Sequence, residues 1–164
     1  MTSATATQLT DLALTLDTLS EMSVEQLDKL YQNATLPRSM KALDGTPKGR
    51  MLAVRGTDKT PLSGAIRSVS KVGVFPWHGK SFKATSSKQG SGINRINLTL
   101  MQKQWFPFNT VILPSVIDGK DCIYLDYDLP ENPWFIRKIR DELRAVSPGL
   151  FLGPAMWKDN KDGA

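Results

Sequence analysis

Histidine and cysteine are nearly missing from this 164-residue sequence, with His78 and Cys122 the only examples of each. A single cysteine excludes an intramolecular disulfide and a cysteine-cluster zinc site. A single imidazole excludes a multi-histidine metal centre and any Ser-His or Cys-His scheme not built on His78. Glycines 45, 49, 56, 64 and 73 match neither a phosphate-binding loop nor a dinucleotide fingerprint, so no metal or organic cofactor is expected. No apolar run approaches the length of a membrane span. The N-terminal residues carry no basic leader, and Asp11 and Asp17 interrupt the apolar positions, which predicts a cytoplasmic protein without a signal peptide. Basic residues outnumber acidic ones by 21 to 16, giving a net charge of +5 and a pI near 9.4. Lys and Arg are nevertheless dispersed, and no motif that reads bases is present, so nucleic acid is not the expected partner.

What is present fits one domain, since a chain of this length buries about two-thirds of its extended surface on folding. The expected organisation is a single domain over 1–157, with an N-terminal helical segment at 1–35, a barrel-like body over 49–157 and a disordered polar tail at 158–164. Leu9, Leu12, Leu16 and Leu19 stand close to helical spacing. Ser23-Val24-Glu25-Gln26 matches a capping box and predicts a second short helix burying Val24, Leu27, Leu30 and Tyr31. These two helices can close a sheet or form a homodimer contact.

Beyond residue 48 the signals are mostly those of strands. Glycine-flanked residues 50–55 read as one strand. Pro76 and Gly79 bend residues 72–84 into two extended pieces that carry Trp77, His78 and Lys80. Residues 88–92 read as a flexible turn, and from Ile93 apolar and polar residues alternate. Asp118-Gly119 between apolar runs predicts a two-residue hairpin. That register puts Val111, Leu113 and Ser115 on one face with Cys122, Tyr124 and Asp126, and Ile112 and Pro114 on the other with Ile123 and Leu125. Both faces are largely apolar, so the hairpin should be covered on one side and turned toward a second core or an enclosed cavity on the other. Asn132-Pro133 then resembles an N-cap followed by proline at the first helical position. Ile136, Ile139, Leu143 and Val146 extend it into an amphipathic helix over 132–146, before a last strand at 150–157.

The expected fold is therefore mainly β, of the α+β type. It is an antiparallel β-barrel or strongly curved sheet of six to eight strands, with N-terminal helices and one C-terminal amphipathic helix before the last strand. An N-terminal helix, a glycine-flanked strand at 49–56, a meander, a helix and a closing strand is similar to the order in lipocalin-like (calycin) proteins. The family's glycine-x-tryptophan signature would fall at Gly49-Arg50-Met51, where methionine stands instead. The resemblance implies a barrel that binds apolar small molecules, and it supplies no site residues.

The leading functional expectation is a protein holding an apolar or amphipathic ligand, fatty-acid-like or polyketide-like, in a hydrophobic cavity. Trp77, His78, Lys80, Val111, Leu113, Cys122, Tyr124 and Asp126 are the candidate lining, because such pockets are mainly apolar with a few orienting polar groups. Lys80 and Arg137 are the cations able to meet a carboxylate head. Asp126, His78 and Tyr124 are the candidates for proton transfer if the protein is instead a small cofactor-free isomerase, cyclase or hydrolase. Each has a plainer role: a packed aromatic neighbourhood for His78, an inert small hydrophobe for Cys122, and a strand-to-helix corner for Asp126 and Asp128. A third expectation is an interaction module working through the N-terminal helices or the basic face of the 132–146 segment.

Overall fold

A computed structural model describes residues 14–48, 52, 77–98 and 100–158. Among them lie helices α1 (Leu16–Ser20) and α2 (Val24–Asn33), a 3-10 helix (Met40–Leu43), strands β1 (Trp77–Ala84), β2 (Gln89–Leu98), β3 (Met101–Pro114) and β4 (Asp121–Asp126), a single-turn helix α3 (Trp134–Arg137), and strands β5 (Ile139–Ser147), β6 (Leu150–Leu152) and β7 (Ala155–Trp157). The strands form one antiparallel meander in the order β1-β2-β3-β4-β5-β6, with β7 also paired to β5. The sheet curls through 259°, a half-barrel with a few helices. Strand residues 50–55, expected from the sequence, lie outside the described residues apart from Leu52.

The curl can be seen from one contact. Four strand spacings separate β1 from β5, about 19 Å in a flat sheet, yet Lys80 on β1 reaches Asp141 on β5 at 3.0 Å. Only a sheet folded toward its own inner face brings those side chains together. That face is packed by Phe82, Phe108, Ile123, Leu125 and Tyr127, and the 3-10 helix closes it at one end with Met40 and Leu43. Phe82, Phe108 and Tyr127 meet edge-to-face, with centroids 5.4 and 5.3 Å apart. Gly92 is part of this arrangement, because a Cβ there would overlap the Phe108 ring and the Ser81 carbonyl. Gly90 and Gly92 thus belong to strand β2 rather than to a turn over 88–92; the chain reverses at 85–88.

The hairpin exists, but its connection is longer than two residues. Observed pairs include Pro114↔Asp121, Leu113↔Cys122 and Val111↔Tyr124. The Asp118 carboxylate accepts from the Lys120 amide at 3.1 Å, and only Gly119 takes positive φ, +72°. The register has slipped by two residues, an even number, so each side chain keeps its expected face. Both faces are covered, with Ile123 and Leu125 inward and Cys122 and Tyr124 outward, all buried.

The amphipathic helix over 132–146 does not form. One turn, Trp134–Arg137, gives way to β5. Period-two alternation over 139–147 puts Arg140, Glu142 and Arg144 on one face and Asp141 on the other, so a strand here has to bury charge on both. In the fold Arg140 pairs with Glu142, Arg144 with Asp118 and Asp141 with Lys80, and β4 offers an unpaired edge that the segment completes. Tertiary pairing overrides the 3.6-residue pattern. The single strand expected at 150–157 is likewise two short strands, both on β5.

At the N-terminus the capping box is formed: the Ser23 hydroxyl accepts from the Gln26 amide at 3.2 Å and Gln26 Oε1 accepts from the Ser23 amide at 2.8 Å. Leu19 and Tyr31 are 1% and 2% exposed, whereas Val24, Leu27 and Leu30, expected to be buried with Tyr31, are only half-buried. Among the described residues no helix is long and apolar enough to cross a membrane.

Candidate functional site

The residues singled out from sequence separate onto the two sides of the sheet. Val111, Leu113, Cys122, Tyr124 and Asp126 share the outer face, while Lys80 is directed inward and Trp77 accompanies it. His78 sits at the irregularity in β1 between Trp77 and Gly79, three strands from β4.

On the outer face the chemistry is structural. Glu142 is fully buried and saturated: Tyr31 Oη donates at 2.7 Å, the Val116 amide at 3.0 Å, Arg140 Nε at 2.8 Å, and the Ser115 hydroxyl also donates to it. Burial alone would push its pKa up, but the donors from Ser115, Arg140, Tyr31 and Val116 outweigh it and hold the carboxyl below its ordinary value. The Arg140 guanidinium lies 4.5 Å over the Tyr124 ring. Cys122 is pushed up to about 12, mainly by burial, and is an inert thiol. Tyr124 Oη donates to Asp126 at 3.1 Å, and burial raises its pKa. Asp126 also accepts from the Asp128 amide at 3.1 Å, and Asp128 pairs with Arg137 at 2.6 Å, so both carboxylates are engaged in the corner they build. No cluster of three potential metal ligands occurs among the described residues.

Arg144 anchors the hairpin connection through two bonds to Asp118 at 2.7 and 2.8 Å. These bonds, led by the hydrogen bond itself, lower the Asp118 pKa from 3.8 to about 2. A depressed folded-state pKa stabilises above the unfolded value and is lost as pH falls through the folded one. We therefore expect the urea midpoint to drop as pH falls from about 4 toward 2. Asp118→Asn should flatten that part of the profile, and an unchanged slope would contradict the pairing.

The inner face carries a different kind of site. Lys80 Nζ donates to Asn94 Oδ1 at 2.7 Å, Tyr127 Oη at 2.5 Å and Asp141 Oδ2 at 3.0 Å. Trp77 Nε1 also donates to Asn94 Oδ1, at 3.0 Å. Tyr127 Oη donates to Asp141 Oδ2 at 2.9 Å. Burial, then the neighbouring Asp141, raises the Tyr127 pKa well above its ordinary value, so the phenol stays protonated. The ammonium is walled by Trp77, Phe108 and Tyr127, whose ring centroids lie 5.3, 5.4 and 5.3 Å away.

Hydrogen-bond accounting makes this cluster unusual. An ammonium has three donors, and all three of Lys80 are used. The asymmetry falls on Asp141, where Oδ2 takes two donors and the buried Oδ1 has none. A buried carboxylate oxygen without a partner costs free energy. Sequence reasoning named Trp77 and Lys80 here but missed Asn94, Tyr127 and Asp141. Period-two reading continued from Ile123 through Leu125 to Tyr127, and from Ile139 to Asp141, would have put the last two on the inner face.

Fold and site define the protein as a mainly β, antiparallel half-barrel with a polar cluster set into an aromatic inner wall. Compared with known proteins, the chain matches no family model, no curated protein and no solved structure.

Proposed function

We propose that this is a small-molecule binding protein that takes an amphipathic ligand on the inner face of the half-barrel, in the manner of the lipocalin-like proteins its strand order resembles. The observation that carries this reading is Asp141 Oδ1, buried and unpartnered beside a saturated Lys80. A ligand hydroxyl or amine would supply the missing donor while its apolar body lies along Trp77.

The same accounting changes the expected head group. Lys80 has no donor left for a carboxylate, and Asp141 would repel one, so a hydroxyl-bearing ligand is favoured over the fatty-acid-like ligand expected from sequence. The opposite end of the inner face is filled core. The hollow lined by Met40, Leu43, Phe82 and Thr110 has no room for a water molecule, against the ~300 Å³ at which small-molecule pockets begin. This reading therefore needs entry at the end bearing Trp77.

Titration by tryptophan fluorescence with a long-chain alcohol and its matching carboxylate tests this. The alcohol should bind at least about tenfold more tightly, the equivalent of one unmade hydrogen bond to a charged group. Asp141→Ala should abolish the preference. Absence of binding by either, or equal affinities, would sink the reading. Catalysis through Asp126, His78 and Tyr124 gains less support, because Tyr124 and Asp126 hydrogen-bond each other on the outer face while His78 stands in β1.

A further inference from the structure

One bulge interrupts the long pairing of β2 with β3. Asn94 faces Trp105 and Ile93 faces Pro107, so Phe106 stands opposite no residue, while the pairs on either side run on without a further shift. Phe106 has φ +59°, and of the described residues with positive φ it alone is not glycine. A β-carbon is disfavoured in that region, and bulges that need it ordinarily place glycine there. Strained backbone persists only where the surrounding structure fixes it, and it gathers at functional sites. The Phe106 ring is half-buried against the core, with the Trp105 ring 6.1 Å away. Its peptide carbonyl is turned to the polar cluster, where it accepts from Asn94 Nδ2 at 3.0 Å.

We infer that this bulge is a specificity device: the Phe106 carbonyl orients the Asn94 amide and through it commits Lys80, so that the inner face accepts a hydrogen-bond donor and refuses an anion. The orientation of a buried amide follows from its partners. Asn94 Nδ2 meets the Phe106 carbonyl and, at 3.4 Å, the Tyr127 oxygen, which leaves Oδ1 to accept from Lys80 and Trp77. Turned over, the amide would set its NH2 against an ammonium and an indole N–H, neither of which can accept. Asn94 is 6% exposed, so little water is at hand to replace the carbonyl. With Oδ1 held in place, Lys80 uses its third donor inside the protein and has none for a carboxylate. Without it, one N–H of the ammonium is released toward the ligand. Phe106 and Asn94 are thus positioning residues that act through Lys80. The consequence for head-group choice rests on the ligand reading above; the hold on Lys80 does not.

Deletion of Phe106 is the direct test, because Asn94 and Ile93 then face Trp105 and Pro107 in regular succession and the other β2–β3 pairs keep their partners. Phe106→Gly removes the same ring, and the strain with it, but keeps the carbonyl. Asn94→Leu keeps a branched side chain and removes the amide. Proton–nitrogen NMR of the ligand-free chain follows the Lys80 ammonium, assigned by its absence from Lys80→Met, and fluorescence titration compares a long-chain alcohol with its carboxylate. The parent and Phe106→Gly should show a slowly exchanging ammonium and prefer the alcohol. The deletion and Asn94→Leu should exchange at least about tenfold faster, the equivalent of one hydrogen bond to a charged group, and lose the preference. If thermal melts show that the deletion does not fold, Asn94→Leu and Phe106→Gly carry the same comparison. An ammonium as well protected in the deletion, or in Asn94→Leu, as in the parent overturns the inference and leaves the ligand reading intact. Loss of protection in Phe106→Gly also overturns it, since the ring rather than the carbonyl would then be the support. If neither ligand binds the parent, the ligand reading fails and the selectivity falls with it, while the exchange rates still decide whether the bulge holds Lys80.

Discussion

Replacing Arg144 with alanine is expected to lower the unfolding free energy by about 3–5 kcal/mol, the scale measured when one partner of a buried ion pair is removed. The side chain is 1% exposed and ties three parts of the chain together. Its guanidinium donates to the Tyr31 carbonyl at 3.2 Å, to the Lys120 and Asp121 carbonyls at 2.7 and 3.0 Å, and twice to Asp118. It also lies 4.4 Å over the Tyr31 ring. Truncation leaves three carbonyls and one carboxylate without their donor, and each buried orphan adds its own desolvation cost. Against a total stability of about 5–15 kcal/mol for a domain, that is a large fraction. Arg144→Lys should recover only part of the loss, because an ammonium cannot reproduce a planar fork serving a carboxylate and carbonyls together. Urea denaturation of the three proteins decides the point. A loss under about 1 kcal/mol for the alanine variant would mean that the network is solvated rather than buried.

Arg144 also shows where the sequence could be read and where it could not. The local rules held where the physics is local. The Ser23 capping box forms through atoms three residues apart. The hairpin faces were legible because side-chain alternation survives an even slip in register. Coverage on both sides followed from apolar residues at consecutive positions, and with it the curved antiparallel sheet closed by helices. The turn length was not legible. Asp118-Gly119 satisfies a two-residue turn in isolation, but the Asp118 carboxylate is drawn to an arginine 26 positions away, and six residues then make the connection.

The segment 139–147 is the larger misreading, and it hid the candidate site. Ile136, Ile139, Leu143 and Val146 fit a helical stripe better than Ile139, Asp141 and Leu143 fit a strand face, since the strand face requires an aspartate in the interior. That aspartate is acceptable only because Lys80 arrives from β1 across the curl, a contact that no local window contains. The same holds for Glu142, whose buried charge is neutralised by Arg140 two residues away on the same strand face and whose remaining acceptors are met by α2 and the hairpin connection. Functional polar clusters in cores are the places where pattern reading is expected to fail, and here the failure and the candidate site coincide at Asp141.

Lys80→Met is the decisive substitution at that site. It keeps most of the stem that packs against Trp77 and Phe108, and removes the charge that Asp141, Tyr127 and Asn94 share. Lys80 and Asp141 side chains are 14% and 13% exposed, so the orphaned carboxylate would have little water to turn to, and a loss of about 3–5 kcal/mol is expected. Arg137 offers the internal control. Its pair with Asp128 is 44% and 53% exposed, where exposed ion pairs contribute about 0–1 kcal/mol, so Arg137→Ala should scarcely move the melt. Sequence proximity to Asp126, Asp128 and Glu131 suggests that Arg137 is the occupied cation and Lys80 the free one; Arg137 does pair with Asp128, but Lys80 is not free, and its pair with Asp141 is the more buried of the two. Adding Asp141→Asn to Lys80→Met replaces the orphaned charge with a neutral amide and should restore most of the stability, giving a favourable coupling of at least about 2 kcal/mol in a double-mutant cycle. Thermal and urea unfolding of the single, double and Arg137 variants together measure it; additive effects of Lys80→Met and Asp141→Asn would mean that the two side chains do not share a desolvated site, and the inner face would then lose its claim to bind the polar end of a ligand.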